Sequence, residues 1–168
     1  LQGALFSEHF FPSAINERGE LAFFCHIGSS AAIFLKRADH KIEPIVVQGE
    51  PSPIAGANFS GFANRAPVIN SKGDVAFSAF VDGPNAARVL FFKPQGQPVR
   101  VLLKSGDLVP DTAAKFSDFY MPSVNANGEV AFVGTFGGRT RGVFLKTAQG
   151  VEKIALGDDP IPGQARGK

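Results

Sequence analysis

An eight-residue motif that occurs three times constrains the fold of this chain more than any other feature. The motif reads Asn-x-x-Gly-x-x-Ala-Phe and begins at Asn16, Asn70 and Asn125. Successive copies lie 54 and 55 residues apart. Because self-similarity at a fixed period marks a repeated structural unit, we expect one unit to be built three times along the chain. The motif positions predicted to be structural are Asn16, Gly19, Phe23, Asn70, Gly73, Phe77, Asn125, Gly128 and Phe132.

Each motif belongs to a longer unit in which other positions also recur. A Phe-Ser pair and then a proline precede the motif, and an apolar segment that ends in lysine follows it. A glycine followed by an acid closes each unit, at residues 49–50, 106–107 and 157–158. We therefore predict a single repeat domain over residues 1–168, with repeats at about 6–58, 59–115 and 116–168.

Each repeat is predicted to form four short β-strands. In the second repeat we place them at residues 66–70, 74–81, 88–93 and 98–104, with turn-forming sequences between them. The chain contains 19 glycines and 12 prolines, which favours turns, and no segment shows apolar residues at helical spacing. The strand at 74–81 carries apolar side chains on both faces, so we expect its sheet to be covered on both sides.

This strand pattern is typical of a β-propeller, whose blades are four-stranded antiparallel sheets of about 40 to 50 residues. The predicted fold class is all-β, with three propeller-like blades. A self-closed three-fold β-trefoil or β-prism is the alternative. Three open blades leave Phe-rich faces uncovered, so we expect either a homodimer that completes a six-bladed ring or a longer parent protein. The start at Leu1 rather than Met favours the longer parent.

The motif resembles the signature of the bacterial NxxGxxAF tandem-repeat proteins, which carry many copies and end in one of several anchoring signals. The resemblance covers nearly the whole chain, because the three copies stand in register with the proline, the lysine-ended segment and the Gly-acid step. It implies a protein that is secreted or displayed on the bacterial surface. It implies no activity, because none is established for that family.

Charge and hydropathy argue against nucleic-acid and membrane partners. The 17 basic and 15 acidic residues give a net charge of +2 and are scattered along the chain, so no basic footprint for nucleic acid is visible. No stretch approaches the roughly 18 to 20 consecutive apolar residues of a spanning helix, and no signal-peptide pattern opens the chain. With 17 Phe, one Tyr and no Trp, the rings suit packing better than sugar stacking. We expect a protein or an extracellular polymer as partner.

The longer loops are the candidate binding sites, because binding residues favour loops held on a rigid scaffold. Arg139 and Arg141, in a loop that begins with two glycines, are candidates for binding an anion or an acidic sugar. Asp82 and Asn85, in the corresponding loop of the second repeat, are further ligand-binding candidates.

Acids recur at equivalent positions, and two roles are open for them. The acids of the Gly-acid steps are expected to cap their own loops by accepting backbone N–H groups. Alternatively, they converge and bind a cation such as Ca²⁺, with Asp107, Asp158 and Asp159 as candidate ligands. No other cofactor is expected. The acids that follow the turn glycines are expected to be solvated or paired with nearby Lys and Arg; they are Glu20, Asp74 and Glu129.

Two classes of function follow from these observations. The first is a non-catalytic extracellular or cell-surface binding or structural module, which the absence of G-x-S-x-G, H-E-x-x-H and P-loop motifs favours. The second is a hydrolase or lyase that acts on extracellular polymers through acids in the channel loops. His9, His26 and His40 all lie in the first repeat, and His9 is expected to pack. Cys25 is expected to be a small buried thiol.

Overall fold

The computed structural model describes residues 5–62 and 66–162. About 55% of these residues are in strands, and they contain no helix. The fold is therefore all-β, as the turn-rich composition predicts. The side chain of His9, which the sequence predicts to pack, lies outside the described residues.

The described strands form three antiparallel sheets, and each sheet takes its strands from one repeat. Sheet 1 consists of β1 (Phe6–Ile15), β2 (Leu21–Ile27), β3 (Ser30–Lys36) and β4 (Ile42–Val47). Sheet 2 consists of β5 (Phe59–Gly61), β6 (Val68–Ile69), β7 (Val75–Val81), β8 (Ala87–Lys93) and β9 (Arg100–Lys104). Sheet 3 consists of β10 (Phe116–Val124), β11 (Val130–Phe136), β12 (Thr140–Lys146) and β13 (Val151–Leu156).

The second repeat departs from prediction in its first strand. The sequence predicts one strand at 66–70, whereas two short strands, β5 and β6, pair with opposite ends of β7. In sheets 1 and 3 a single bulged strand spans the same length. The segment Phe59–Gly61 was missed because three residues are too few to show an alternating pattern.

The motif forms the same turn in each repeat. The backbone N–H of the turn glycine donates to the carbonyl of the motif asparagine, at 2.9, 3.0 and 3.0 Å. The three glycines have φ between +71° and +87°, a conformation that other residues rarely adopt. The asparagine Oδ1 accepts two further N–H groups of its own turn; in the first repeat Arg18 and Glu20 donate them, both at 3.0 Å. These bonds explain why the motif requires Asn and Gly.

Four phenylalanine rings, which we call the ring cluster, pack together in every repeat, and two of their contacts recur at nearly the same distance. A ring of the second strand stacks on a ring of the third, with centroids 5.4, 5.4 and 5.6 Å apart. A ring that opens the first strand meets the third-strand ring at 5.2, 5.1 and 5.0 Å. The clusters are Phe6, Phe10, Phe23 and Phe34 in sheet 1; Phe59, Phe62, Phe77 and Phe91 in sheet 2; and Phe116, Phe119, Phe132 and Phe144 in sheet 3.

The sheets pack face against face through these clusters. The ring cluster of sheet 2 packs on the opposite face of sheet 1, and that of sheet 3 packs on the opposite face of sheet 2. We call this opposite face the receiving face. The middle sheet is thus covered on both sides, as the sequence of β7 predicts. The receiving positions are Ala22, Ile33, Leu35 and Val46 in sheet 1, and Ala76, Leu90, Phe92 and Leu103 in sheet 2.

The motif asparagines link the three turns into a ladder. The side chain of Asn16 donates to the backbone carbonyl of Asn70 at 3.0 Å, and the side chain of Asn70 donates to the carbonyl of Asn125 at 2.8 Å. The same nitrogens donate to the acid of their own turn, Glu20 at 2.9 Å and Asp74 at 2.8 Å. The ladder fixes the register between successive sheets.

Candidate functional site

A cleft of about 460 Å³, which we call the arginine cleft, lies between sheets 2 and 3, at the end where β11 turns into β12. It combines side chains of two repeats, so neither repeat forms it alone. Its lining is mostly polar, and arginine is its most frequent residue. The lining residues are Arg88, Ser117, Asp118, Tyr120, Thr135, Gly138, Arg139 and Arg141.

A salt bridge joins the two sheets at the base of the cleft. Arg88 Nη1 donates to Asp118 Oδ2 at 2.6 Å. The Asp118 side chain is 5% exposed, whereas that of Arg88 is 48% exposed. The other carboxylate oxygen, Oδ1, accepts the backbone N–H of Phe119 at 2.8 Å. Asp118 therefore holds the arginine in place, while the guanidinium keeps one side open to solvent.

Arg139 and Arg141 stand at the mouth of the cleft, and both side chains are exposed. Gly137 and Gly138 turn the chain before them with φ of +54° and +86°. The guanidinium of Arg141 lies 5.7 Å from the centre of the Tyr120 ring. Within the described residues, neither arginine forms an ion pair. Both guanidinium groups thus keep their fork of donors for an external acceptor.

The electrostatics of the cleft favour an anion. Three guanidinium groups face one carboxylate among the described lining residues, which leaves an excess of positive charge. Ser117 Oγ donates to the Thr135 carbonyl at 3.0 Å and lies 2.9 Å from Thr135 Oγ1. The hydroxyl groups therefore add short polar contacts at the cleft wall.

Asp82 and Asn85 lie outside this lining. Asp82 Oδ1 accepts the N–H of Asn58 at 2.8 Å, and Asn85 Nδ2 lies 3.5 Å from the carbonyl of Ala55. Both side chains brace the loop at residues 51–58, which connects sheets 1 and 2. The structure thus separates them from Arg139 and Arg141, although the sequence places the two loops at equivalent positions.

Two of the three metal-ligand candidates, Asp107 and Asp159, bond their own loops. Asp107 Oδ2 accepts the N–H of Lys104 at 2.9 Å, and Asp159 Oδ2 accepts the N–H of Leu156 at 2.8 Å. Asp159, rather than Asp158, is therefore the counterpart of Asp107, and the repeat alignment shifts by one residue here. The described residues bring no three His, Cys, Asp or Glu side chains together in a metal-binding group.

The acids after the turn glycines accept a hydrogen bond from the motif asparagine, which the sequence analysis missed, and Glu20 also pairs with Arg18, as predicted. Glu20 is buried, and its carboxylate accepts hydrogen bonds from Asn16 and from Arg18 Nε, at 2.9 and 3.1 Å. Burial raises the pKa of Glu20, but the bonds from Asn16 and Arg18 and the nearby positive charges outweigh it, so the net pKa is lowered. The signal was the constant spacing of four residues from asparagine to acid.

Cys25 is a free, buried thiol, as predicted, and burial raises its pKa. A raised pKa disfavours the thiolate, which is the reactive form. His26 packs edge-on against Phe24, with ring centroids 5.1 Å apart. Neither residue reaches the arginine cleft.

These features define an all-β repeat protein with a basic cleft between two of its sheets. The chain belongs to a family of unknown function, DUF7453, whose model matches residues 2–167. No curated protein and no solved structure was found to match it. Among the described residues, no helix has the length and apolar character needed to cross a membrane.

Proposed function

We propose that this chain is a non-catalytic binding module that recognises acidic side chains of a partner protein through the arginine cleft. The observation that carries the proposal is the pair of exposed arginines, Arg139 and Arg141, held beside a third that is already fixed by a buried carboxylate. A guanidinium group binds a carboxylate in bidentate fashion, so two free guanidinium groups suit a ligand that presents more than one carboxylate.

The wider setting of the module is part of the same proposal. We take the three sheets as blades of a β-propeller type and the repeats as relatives of the NxxGxxAF proteins, which implies secretion or display on a bacterial surface. The support is the face-to-face packing of the sheets and the Asn ladder that the motif builds. A rigid stack suits binding, because its loops are held in fixed positions.

A protein partner is favoured over a polysaccharide. Sugar-binding sites commonly stack an aromatic ring on the ligand, and the one ring of the described lining, Tyr120, already lies under Arg141. A hydrolase or lyase is less well supported, because glycoside hydrolysis needs a pair of facing carboxyl groups. The described lining holds one carboxylate, Asp118, which is engaged by Arg88.

The test is titration of the labelled chain with a glutamate-rich peptide, its glutamine counterpart and an acidic polysaccharide, read by fluorescence anisotropy. We expect the glutamate peptide to bind and the glutamine peptide not to bind. The double variant Arg139→Gln, Arg141→Gln is expected to weaken binding by about tenfold or more, since a charge-assisted hydrogen bond contributes roughly 1.5 to 3 kcal/mol. Added salt is expected to weaken binding further.

Arg100→Gln is the matched control. Arg100 also lies over an aromatic ring, with its guanidinium 5.0 Å from the centre of Phe92, but outside the cleft. It is expected to bind like the unmodified chain. An equal loss in Arg100→Gln, or equal binding of both peptides, would contradict the proposal. Tighter binding of the polysaccharide would replace the protein partner with an acidic polymer.

A further inference from the structure

The ring cluster of sheet 1 is uncovered, unlike its two counterparts. Phe6 is 47% exposed, whereas the equivalent Phe59 and Phe116 are 3% and 2% exposed. Phe10 is likewise 49% exposed. The ring that opens the first strand nevertheless meets the third-strand ring at nearly the same distance in all three repeats, 5.2, 5.1 and 5.0 Å. Sheet 1 therefore presents a formed ring cluster with no receiving face packed against it in the described residues.

The receiving face of sheet 3 is uncovered in the same way. Val143 is 42% exposed, whereas the equivalent Ile33 and Leu90 are fully buried. Leu145 is half-buried and Ala155 is exposed, although their counterparts in sheets 1 and 2 are buried. The two outer described sheets thus expose two different apolar faces, which correspond to the two sides of the contact between successive sheets.

The Asn ladder shows the same open ends. Asn125 donates to Glu129 in its own turn at 2.6 Å, but it meets no next turn in the described residues. Its side chain is exposed, whereas that of Asn70 is buried. At the other end, the Asn16 carbonyl accepts the N–H of Gly19, and no asparagine side chain of the described residues donates to it. One end offers a donor and the other end offers an acceptor.

We propose that a second copy of this chain covers these faces, with the receiving face of sheet 3 of one copy packed on the ring cluster of sheet 1 of the other. The contact continues one that the chain already makes twice, between sheets 1 and 2 and between sheets 2 and 3. Two copies joined in this way form two identical head-to-tail contacts and close into a ring of six sheets. A contact between two different faces closes when the rotation per unit allows it.

The occupant is a second copy because both complementary faces lie on the same chain. The two faces differ, so a contact of either face with itself would lack its complement. In the head-to-tail contact, Asn125 of one copy would donate to the carbonyl of Asn16 in the other, as Asn70 does to Asn125. The contact would bury Val143 and Phe10 together. This inference does not depend on the arginine cleft.

The test is light scattering coupled to size-exclusion chromatography, from low micromolar to several hundred micromolar chain. We expect a mass near twice 17.8 kDa. Val143→Glu and Phe10→Glu each place a charge in the contact from one side, and each is expected to weaken association roughly 30-fold or more. Leu108→Glu is the matched control, because Leu108 is 65% exposed and lies on neither face. Its mass is expected to match that of the unmodified chain.

Mixing the two variants tests the head-to-tail arrangement itself. A Val143→Glu copy keeps an intact ring cluster, and a Phe10→Glu copy keeps an intact receiving face. Their mixture therefore regains one intact contact, and its average mass is expected to exceed that of either variant alone. A mixture with no gain in mass would overturn the arrangement. A monomer at all concentrations, or a mass that keeps growing, would overturn the closed pair.

Discussion

The ring clusters of sheets 1 and 2 have the same spacing between their stacked rings but different surroundings. The stacked rings Phe23 and Phe34 are 5.4 Å apart, as are Phe77 and Phe91. Yet Phe6 is 47% exposed where Phe59 is 3% exposed. The cluster forms with or without a covering sheet, so the spacing of its rings is determined within the repeat. Its burial depends on the neighbouring sheet.

The turns show the same contrast at the third repeat. The side-chain nitrogen of Asn70 donates to its own acid and to the next turn, whereas that of Asn125 donates only to its own acid among the described residues. Each repeat therefore carries its own turn and ring cluster, and stability grows with each neighbour that covers them. Equivalent residues that a neighbouring sheet buries in one repeat and leaves exposed in another are therefore expected to differ in their contribution to stability.

The largest expected effect is at the ring that opens the first strand. Phe59→Ala is expected to lower the free energy of unfolding by about 3 to 5 kcal/mol, because it leaves a cavity in a buried core. Phe6→Ala, at the equivalent position, is expected to cost about 1 to 2 kcal/mol in the monomer, because half of its ring is already in water. Urea unfolding followed by circular dichroism measures both. Equal losses would mean that cover by the neighbouring sheet contributes nothing.

A smaller difference is expected at the motif asparagine. Asn70→Ala is expected to lower the free energy of unfolding by about 2 to 3 kcal/mol, since it leaves two partly buried turn N–H groups without their acceptor and one Asp74 carboxylate oxygen without its donor. Asn125→Ala loses the same bonds within its turn, but at an exposed site, and is expected to cost about 1 kcal/mol. The same unfolding experiment compares them, and a larger loss at Asn125 would contradict the ladder.

The pH dependence of unfolding tests the buried acid of the first turn. The pKa of Glu20 is lowered in the folded state, so the charged form stabilises the fold at pH values above its unfolded pKa. This stabilisation is lost as the pH falls through the lowered folded pKa. Glu20→Gln is expected to be less stable at neutral pH and to lose less stability in acid.

Glu17→Gln is the control for net charge in that turn, because the Glu17 side chain makes no hydrogen bond within the described residues. It is expected to follow the acid unfolding profile of the unmodified chain. If Glu20→Gln lost as much stability in acid as the unmodified chain, the carboxylate bonds from Asn16 and Arg18 would not be the stabilising contacts.

The smallest effect is expected at Ser78, on the receiving face of sheet 2. Its Oγ is buried and has no hydrogen-bond partner in the described part of the chain. Ser78→Ala is expected to raise the free energy of unfolding by up to about 1 kcal/mol, because the unpaired hydroxyl is removed from the contact between sheets. Ser117→Ala, which removes a bonded hydroxyl, is expected to lower it. A loss at both positions would indicate that Ser78 does find a partner.

Local patterns in the sequence predicted the all-β architecture and the strands of each repeat. In the second repeat, the predicted strand at 88–93 corresponds to Ala87–Lys93, because alternation and turn residues act over a few positions. The short strand at Phe59 was missed for the same reason. The acid position at 158–159 was misaligned by one residue, since an Asp-Asp pair gives no sign of which acid bonds the loop.

Only some of the residues that line the arginine cleft could be predicted from the sequence. The exposed pair Arg139 and Arg141 was visible as a distinctive loop, but its partners were not. Arg88 and Asp118 are 30 residues apart and meet only because sheets 2 and 3 pack against each other. The Asn ladder was hidden for the same reason, because a side chain that bonds a carbonyl 54 residues away leaves no local pattern. Contacts between repeats require the packing of the sheets to be known.

The central claim is that each motif asparagine is stabilised by the turn of the next sheet. Its most direct test is hydrogen exchange of the asparagine side-chain amides, measured by NMR on the monomeric Val143→Glu variant. Both amide hydrogens of Asn70 are bonded, one to Asp74 and one to the Asn125 carbonyl, so slow exchange is expected. Asn16 is expected to behave in the same way. Asn125 is expected to exchange faster than both. Fast exchange at all three positions would contradict a ladder between the sheets.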